Sequence, residues 1–145
     1  MPNRVKVIVA DDHPLIRMGI CRLFEGKSDV EIVGEASDGR EAIDLVLKYD
    51  ADILILDMQM PKMDGIQTLH HLKKIGSRVR TLVVSAFDDI QYTTCVFELG
   101  AWGYYLKEEA PTQIVDAVRQ ASRGDGQGTR PKPSPKLVQK LINCK

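Results

Sequence analysis

The chain has 145 residues, of which 43% are hydrophobic and 28% are charged, and its formal net charge is zero. This composition is that of one globular domain with a sizeable core, and it excludes an intrinsically disordered chain. No apolar run is long enough to span a bilayer and the N-terminus lacks the layout of a secretory signal, so we expect a cytoplasmic protein with no membrane partner.

Apolar runs and amphipathic segments alternate along the chain. Five runs rich in Val, Ile and Leu predict buried β-strands, and the segments that follow them have apolar residues at helical spacing. The fourth helix is predicted to be weaker because it contains β-branched and aromatic residues. In chain order, strands are predicted at 4–12, 30–37, 52–57, 80–86 and 103–107, and helices at 13–26, 38–50, 65–76, 88–100 and 111–124.

The strict alternation of strands and helices predicts the fold class. Continuous apolar strands between amphipathic helices favour a parallel sheet with helices on both faces. The apolar faces expected to cover this sheet are, in the first helix, Leu15, Ile16, Ile20, Leu23 and Phe24 and, in the second, Ala42, Ile43, Val46 and Leu47. Right-handed crossovers leave few topologies, and among them we predict a doubly wound, five-stranded parallel α/β sheet in the flavodoxin-like order 2-1-3-4-5.

The sequence changes in character after Gly124. Residues 125–145 begin with a Gly-, Pro- and Ser-rich stretch, which predicts a linker. Ser134 is suited to cap a short amphipathic helix that follows it. From Arg123 onward six residues are basic and one is acidic. A solvated linker is the preferred interpretation of this charge, since the tail has no aromatic residue that could stack on a nucleic-acid base.

Acidic residues follow two of the predicted strands. Strand 1 ends in Asp11 and Asp12, and strand 3 ends in Asp57. Ligands of a doubly wound sheet bind outside the carboxyl ends of the strands, at the switch in strand order, which strands 1 and 3 flank. Three carboxylates this close repel one another unless a cation lies between them, and such oxygen ligands suit Mg²⁺. We therefore predict a magnesium site at this edge.

Two further groups are expected at the same edge, because Ser85 ends strand 4 and Lys107 ends strand 5. Acids, a metal ion, a hydroxyl and an ammonium group suit a phosphoryl group, and the Asp57 carboxylate can attack phosphorus to form an aspartyl phosphate. Each residue also has a simpler interpretation. Asp11 and Asp12 could cap the first helix. Asp57 could belong to a turn, and Lys107 could be an ordinary surface lysine.

The histidines and cysteines receive no role from the sequence. His70 and His71 lie on the third predicted helix and are expected to be solvated, and His13 is a weak candidate. The three cysteines are far apart and form no CxxC or Cys/His cluster. Neither a disulfide framework nor a zinc site is predicted.

Four segments carry a family resemblance: VIVADDHPLIRMGI, LILDMQMPKMDG, VVSA and GAWGYYLK. In order and spacing they resemble the receiver domain of bacterial response regulators, the phosphorylated half of two-component signalling, over about residues 4–122. DDHPLIRMGI, EIVGEASDGREAI and the Glu that follows Lys107 are similar to the NarL/FixJ group. Members of that group usually have a C-terminal helix-turn-helix of the LuxR type.

The resemblance implies a metal site and a phosphoacceptor. Asp57 matches the aspartate that is phosphorylated in the family. Asp12 and Asp57 match the carboxylates that bind Mg²⁺ directly, and Gln59 matches the residue whose backbone carbonyl is a further ligand. Asp11 matches the acid that acts through a metal-bound water. Gln59 is not a common residue at its position, and its side chain is expected to alter dephosphorylation by water.

The resemblance also implies a switch. Ser85 matches the hydroxyl residue that bonds the transferred phosphoryl group, and Lys107 matches the lysine that pairs with it. Tyr104 matches the aromatic residue that turns inward on activation. Many receivers have Pro after this lysine, whereas Glu108 stands here.

These implications give the expected function. Residues 1–124 are a receiver domain that takes a phosphoryl group from a sensor histidine kinase or a small acyl phosphate, and it is not a turnover enzyme. A homodimer on phosphorylation is possible, and DNA is contacted only through a C-terminal domain that residues 125–145 do not contain. The length of the linker and its capped amphipathic helix favour a piece of a longer regulator over a stand-alone receiver that acts through protein contacts.

Two alternatives remain open. A phosphatase of the haloacid-dehalogenase type also uses a strand-end Asp with Mg²⁺, but it needs a second acid at the position of Gln59. A pure interaction module that never receives phosphate is disfavoured by the complete set of site residues.

Overall fold

The computed structural model describes residues 4–86, 90–123 and 132–133. Helices and strands alternate along these residues, and their bounds lie within a few residues of the predicted ones. In chain order the elements are β1 Val5–Ala10, α1 Pro14–Leu23, β2 Val30–Ala36, α2 Gly39–Tyr49, β3 Ile53–Asp57, α3 Gly65–Lys74, β4 Arg80–Ser85, α4 Ile90–Glu98, β5 Gly103–Leu106, α5 Ala110–Arg123 and β6 Lys132–Pro133.

The strands form one parallel sheet in the order β2-β1-β3-β4-β5-β6. The first five strands have the predicted flavodoxin-like order, and the prediction of fold class is confirmed. The register pairs Ala10 of β1 with Leu56 of β3, so both strands end at the same level. The switch in strand order falls between β1 and β3, where a crevice opens at the carboxyl ends.

Each face of the sheet has its own hydrophobic core. Alternate residues of a strand point to opposite faces. In β3, Leu54 and Leu56 pack with residues of α2, α3 and α4, whereas Ile53 and Ile55 pack with residues of α1 and α5. All four side chains are buried. The apolar run in β3 is therefore the signature of a strand covered on both sides, and it fixes the position of the aspartate that ends it.

Two predicted features differ from the structure at the helices. Leu15 is 81% exposed and Leu47 is 59% exposed, and Ile16 is also exposed. Ile20 of the predicted face of α1 is buried, and so is Phe24, the C-cap of the helix. A helix on a sheet buries a narrow stripe, and residues next to that stripe in the helical wheel are turned toward solvent.

The C-terminal segment adds an element that was not predicted. Lys132 pairs with Gly103 and Pro133 pairs with Tyr104, which extends the sheet by a sixth, two-residue strand. An edge position is where a proline is tolerated, because its missing N–H breaks no ladder inside the sheet. The predicted amphipathic helix after Ser134 lies outside the described residues.

Candidate functional site

The fold brings the predicted acids together. Asp11 directly follows β1 and Asp57 is the last residue of β3, and the two strands are neighbours in the sheet. Asp57 is 3% exposed and Asp11 is also buried. Because both carboxylates are buried at the carboxyl end of the sheet, solvent screens them little from each other and their charges interact strongly.

Lys107 supplies the positive charge nearest to these acids. Its Nζ lies 3.4 Å from Asp57 Oδ1 and 3.8 Å from Asp11 Oδ2. The lysine follows β5, and its backbone N–H donates to the carbonyl of Ser85 at 2.9 Å. This hydrogen bond ties the Lys107 backbone to the end of β4, and the ammonium group extends from there to the acids.

Asp12 and His13 complete the group. Ligand atoms of Asp11, Asp12, His13 and Asp57 all lie within 4.8 Å of one another. The N-cap of α1 is His13, and its side chain makes no capping hydrogen bond. Asp11 instead accepts from the His13 backbone N–H at 2.8 Å. The capping interpretation of Asp11 and Asp12 is therefore wrong, and both acids face the crevice.

Two carboxylate oxygens of this group have no hydrogen-bond partner. Asp12 Oδ1 and Asp57 Oδ2 are buried and accept no hydrogen bond. A buried anionic oxygen without a partner is costly, and such groups are usually paired or bound to a metal. Several carboxylate oxygens around one point are the ligands that Mg²⁺ takes. The residues present fit a hard divalent cation.

The environment of Asp57 also changes its acidity. Burial raises the pKa of this carboxyl above its usual range, and the nearby charge of Asp11 raises it further. Lys107 and the backbone N–H of Gln59 act in the opposite direction, but they do not cancel the effect of burial. In the folded protein the ionised form of Asp57 is therefore disfavoured unless a further positive charge is bound beside it.

The remaining predicted residues are Gln59, Ser85 and Tyr104, and they differ in burial and in their position relative to the acids. Gln59 follows Asp57 by two residues, is exposed, and donates its backbone N–H to Asp57 Oδ1 at 3.4 Å. Ser85 ends β4 beside Asp57, since Val84 pairs with Asp57 in the register. Tyr104 of β5 is completely buried in the core that α4 helps to cover.

His13 was only a weak candidate in the sequence analysis and received no role there. Its Nδ1 lies 3.2 Å from Asp11 Oδ1 and 3.1 Å from Asp12 Oδ1. The available signal was its place directly after two acids at the end of a strand, because a loop residue at that point shares the crevice with them.

The geometry matches a known family of domains. Residues 7–119 match the family model described as the response regulator receiver domain. The chain belongs to the response regulator receiver family. The transcriptional regulatory protein DegU of Brevibacillus brevis is 34% identical over 144 residues, which are 97% of this chain and 61% of that protein. The chain thus spans less than two thirds of the length of such curated relatives.

Solved structures agree with this assignment. The signal receiver domain of NarL from Mycobacterium tuberculosis is 37% identical, with a TM-score of 0.81 over 85% of this chain and 99% of that one. A LuxR-family two-component response regulator from Aurantimonas sp. SI85-9A1 is 28% identical, with a TM-score of 0.86 over 97% of each chain. The receiver is of the NarL/LuxR type, and its curated relatives include transcriptional regulatory proteins and a nitrate/nitrite response regulator.

Among the residues that the structure describes, no helix combines the length and the apolar character needed to cross a bilayer.

Proposed function

We propose that the receiver is a phosphorylation-activated switch whose acceptor is Asp57. The observation that carries the proposal is the buried Oδ2 of Asp57, which accepts no hydrogen bond although it lies in a polar crevice. In the reaction this oxygen forms a bond to phosphorus while the bond between phosphorus and the donor's leaving group breaks. The donor is a sensor histidine kinase or a small acyl phosphate, and the product is an acyl phosphate on Asp57.

The metal ion belongs to the same proposal. Asp12 and Asp57 would hold Mg²⁺ directly, the backbone carbonyl of Gln59 would be a further ligand, and Asp11 would act through a bound water. When bound, Mg²⁺ supplies positive charge against the charge of the phosphoryl oxygens. The mutual proximity of these acids supports this arrangement.

Lys107 and Ser85 serve the transferred group. Lys107 Nζ lies 3.4 Å from Asp57 Oδ1, so its ammonium group is close enough to follow a charge that moves from the carboxylate to a phosphoryl oxygen. The Ser85 hydroxyl, at the end of the neighbouring strand, donates a hydrogen bond to another phosphoryl oxygen. These contacts with the phosphoryl group form only after transfer, and their free energy favours the active state.

Tyr104 carries the signal away from the site. Its side chain is buried, and in the family that the chain resembles the inward position belongs to the activated state. Movement of Ser85 toward the phosphoryl group would favour this position and change the face made by α4, β5 and α5. The output is self-association as a homodimer, or control of a DNA-binding helix-turn-helix domain beyond these 145 residues. The protein acts in the cytoplasm as a signalling switch and not as a turnover enzyme.

The position two residues after Asp57 argues against a phosphatase. Gln59 stands there and cannot act as a general acid. The next acid along the chain, Asp64, caps α3 and accepts from the Gln67 backbone N–H at 2.9 Å. Neither Gln59 nor Asp64 therefore supplies the second acid that a phosphatase of the haloacid-dehalogenase type needs after its nucleophile.

The test is phosphorylation with acetyl phosphate and Mg²⁺. The intact chain should gain the mass of one phosphoryl group, and proteolytic mapping should place it on Asp57. Asp57→Ala should gain none, whereas Asp44→Ala, which removes an exposed acid of α2, should react like the parent. Phosphorylation of the Asp57→Ala protein at the parental rate would reject the proposal.

A further inference from the structure

The ring of His13 lies close to the proposed metal ligands. The backbone N–H of His13 donates to Asp11 Oδ1 at 2.8 Å, which holds the residue against the acid before α1 begins. The ring nitrogen Nδ1 is 3.2 Å from that oxygen and 3.1 Å from Asp12 Oδ1. The side chain is 57% exposed, so a hydrated ion can reach the nitrogen from solvent.

The spacing of these atoms is that of ligands on a shared ion. Two ligand atoms at right angles on a cation, with bonds of about 2.1 Å, lie about 3.0 Å apart. The two distances from Nδ1 are close to this value. A hydrogen bond between Nδ1 and Asp11 alone would explain only the first of them.

The second distance is not explained by a hydrogen bond. Asp12 Oδ1 is buried and has no hydrogen-bond partner, although Nδ1 is 3.1 Å away. Asp57 is 3% exposed, and its Oδ2 also has no hydrogen-bond partner. Two buried carboxylate oxygens without a hydrogen-bond partner are groups that a bound cation would pair, and the His13 ring nitrogen lies beside one of them.

We propose that His13 Nδ1 is a ligand of the divalent cation at this site, which rests on the metal site of the proposed function. Imidazole nitrogen suits borderline transition ions, whereas Mg²⁺ prefers oxygen. A mixed nitrogen and oxygen set therefore raises the affinity for ions such as Ni²⁺ or Co²⁺ and leaves the affinity for Mg²⁺ nearly unchanged. The receiver discriminates among divalent ions through a residue that is not one of its acids.

The experiment uses the full 145-residue chain in which the other imidazoles have been removed. His70→Gln and His71→Gln change two exposed residues of α3 and leave His13 as the imidazole to be detected. Pulsed electron paramagnetic resonance on the Mn²⁺-loaded protein reports nitrogen bound directly to the metal. A nitrogen coupling is expected in this background, and it should disappear when His13→Gln is added.

Affinity gives the second readout. In the same background His13→Gln should weaken Ni²⁺ binding by about tenfold or more, a loss of the size seen when supporting residues of metal sites are changed. Mg²⁺ binding, measured by calorimetry, should stay within about twofold. Because His13 makes no capping hydrogen bond, the variant should fold normally, and thermal melts will show it.

Two results would overturn the inference. If Mn²⁺ and Mg²⁺ bind in an Asp12-dependent way but no nitrogen coupling is seen, or Ni²⁺ affinity is unchanged, His13 only bonds to Asp11 and the proposed function stands. If neither Mg²⁺ nor Mn²⁺ binds the background protein, the metal site of the proposed function fails together with the role of His13.

Discussion

At the scale of single residues, the buried position that suits Asp57 to its proposed function also lowers the stability of the folded chain. Its carboxylate is placed by a strand that is apolar on both faces, and it ends beside a second buried acid, Asp11. One ammonium group, that of Lys107, lies between them. Removing charge from such a site relieves both the repulsion and the cost of burial.

The first prediction concerns Asp57→Asn. Burial raises the pKa of Asp57, so the folded state keeps its proton at pH values where the unfolded chain has lost it. Ionisation of the folded carboxyl thus lowers stability as the pH rises from the ordinary aspartate range through the raised pKa. Asn cannot ionise and has nearly the same volume, so the variant should be more stable than the parent at neutral pH.

The pH dependence is the decisive part of this measurement. In urea denaturation, the advantage of Asp57→Asn should shrink as the pH falls through that window, where the parent carboxyl becomes protonated. Asp44→Asn, on the exposed side of α2, should change stability by less than about 0.5 kcal/mol. A parent that is as stable as Asp57→Asn at neutral pH would contradict the argument.

At the scale of elements, the start of α2 supports the loop that carries Gln59. The Gly39 backbone N–H donates to the carbonyl of Met63 at 3.0 Å, and the Gly65 N–H donates to the carbonyl of Met58 at 3.0 Å. These two bonds hold both ends of the loop between β3 and α3. The position of the proposed backbone ligand therefore depends on close packing between two helices and not on the loop sequence alone.

The second prediction compares two glycines. A Cβ on Gly39 would overlap Thr68 Oγ1 and lie 2.5 Å from the Met63 carbonyl oxygen, whereas a Cβ on Gly19 in α1 would meet nothing within 4 Å. Gly39→Ala should destabilise the fold by about 1–3 kcal/mol through overpacking. Gly19→Ala should stabilise it by about 0.5–1 kcal/mol through helix propensity. Urea midpoints measure both, and equal effects would refute the packing argument.

At the scale of the whole molecule, the acids connect metal binding to global stability. The cluster is assembled from the ends of two strands that are far apart in the sequence, so it exists only in the folded chain. A ligand that binds only the folded state stabilises it in proportion to the logarithm of its concentration.

The third prediction is an upward shift of the melting temperature in Mg²⁺. At ten times the dissociation constant the gain is about 1.4 kcal/mol, which corresponds to a few degrees for a domain of this size. Asp12→Ala should abolish the shift, and Asp44→Ala should retain it. A melt of the parent that is unchanged by millimolar Mg²⁺ would count against the site.

The fourth prediction concerns the proposed switch that links Ser85 on β4 to Tyr104 on β5. A phosphoryl mimic such as beryllofluoride should change amide hydrogen exchange across residues 85–107, because its contacts with Ser85 favour one position of Tyr104. A mimic that contacted both states equally would shift nothing. Unchanged exchange across this segment, with Asp57 still competent for phosphorylation, would reject the switch and leave the phosphoacceptor intact.

The sequence determined the parts of the fold that depend on periodicity. Uninterrupted apolar runs alternating with amphipathic segments required a parallel sheet covered on both faces, and the right-handed crossover rule reduced the possible strand orders. The same logic brought Asp11, Asp12 and Asp57 to one edge, because each follows or ends a strand and parallel strands end together. These inferences need only the direction of the chain and the alternation of side chains.

Tertiary structure decided what depends on the angle of packing and on contacts distant in sequence. Leu15 and Leu47 lie on plausible apolar faces, yet they are exposed because the narrow stripe in contact with the sheet passes beside them. The pairing of Lys132 with Gly103 joins segments whose separate sequences contain no signal for it. His13 became part of the site because the backbone after β1 turns its ring back toward two acids, and a turn of that kind is set by the surrounding fold.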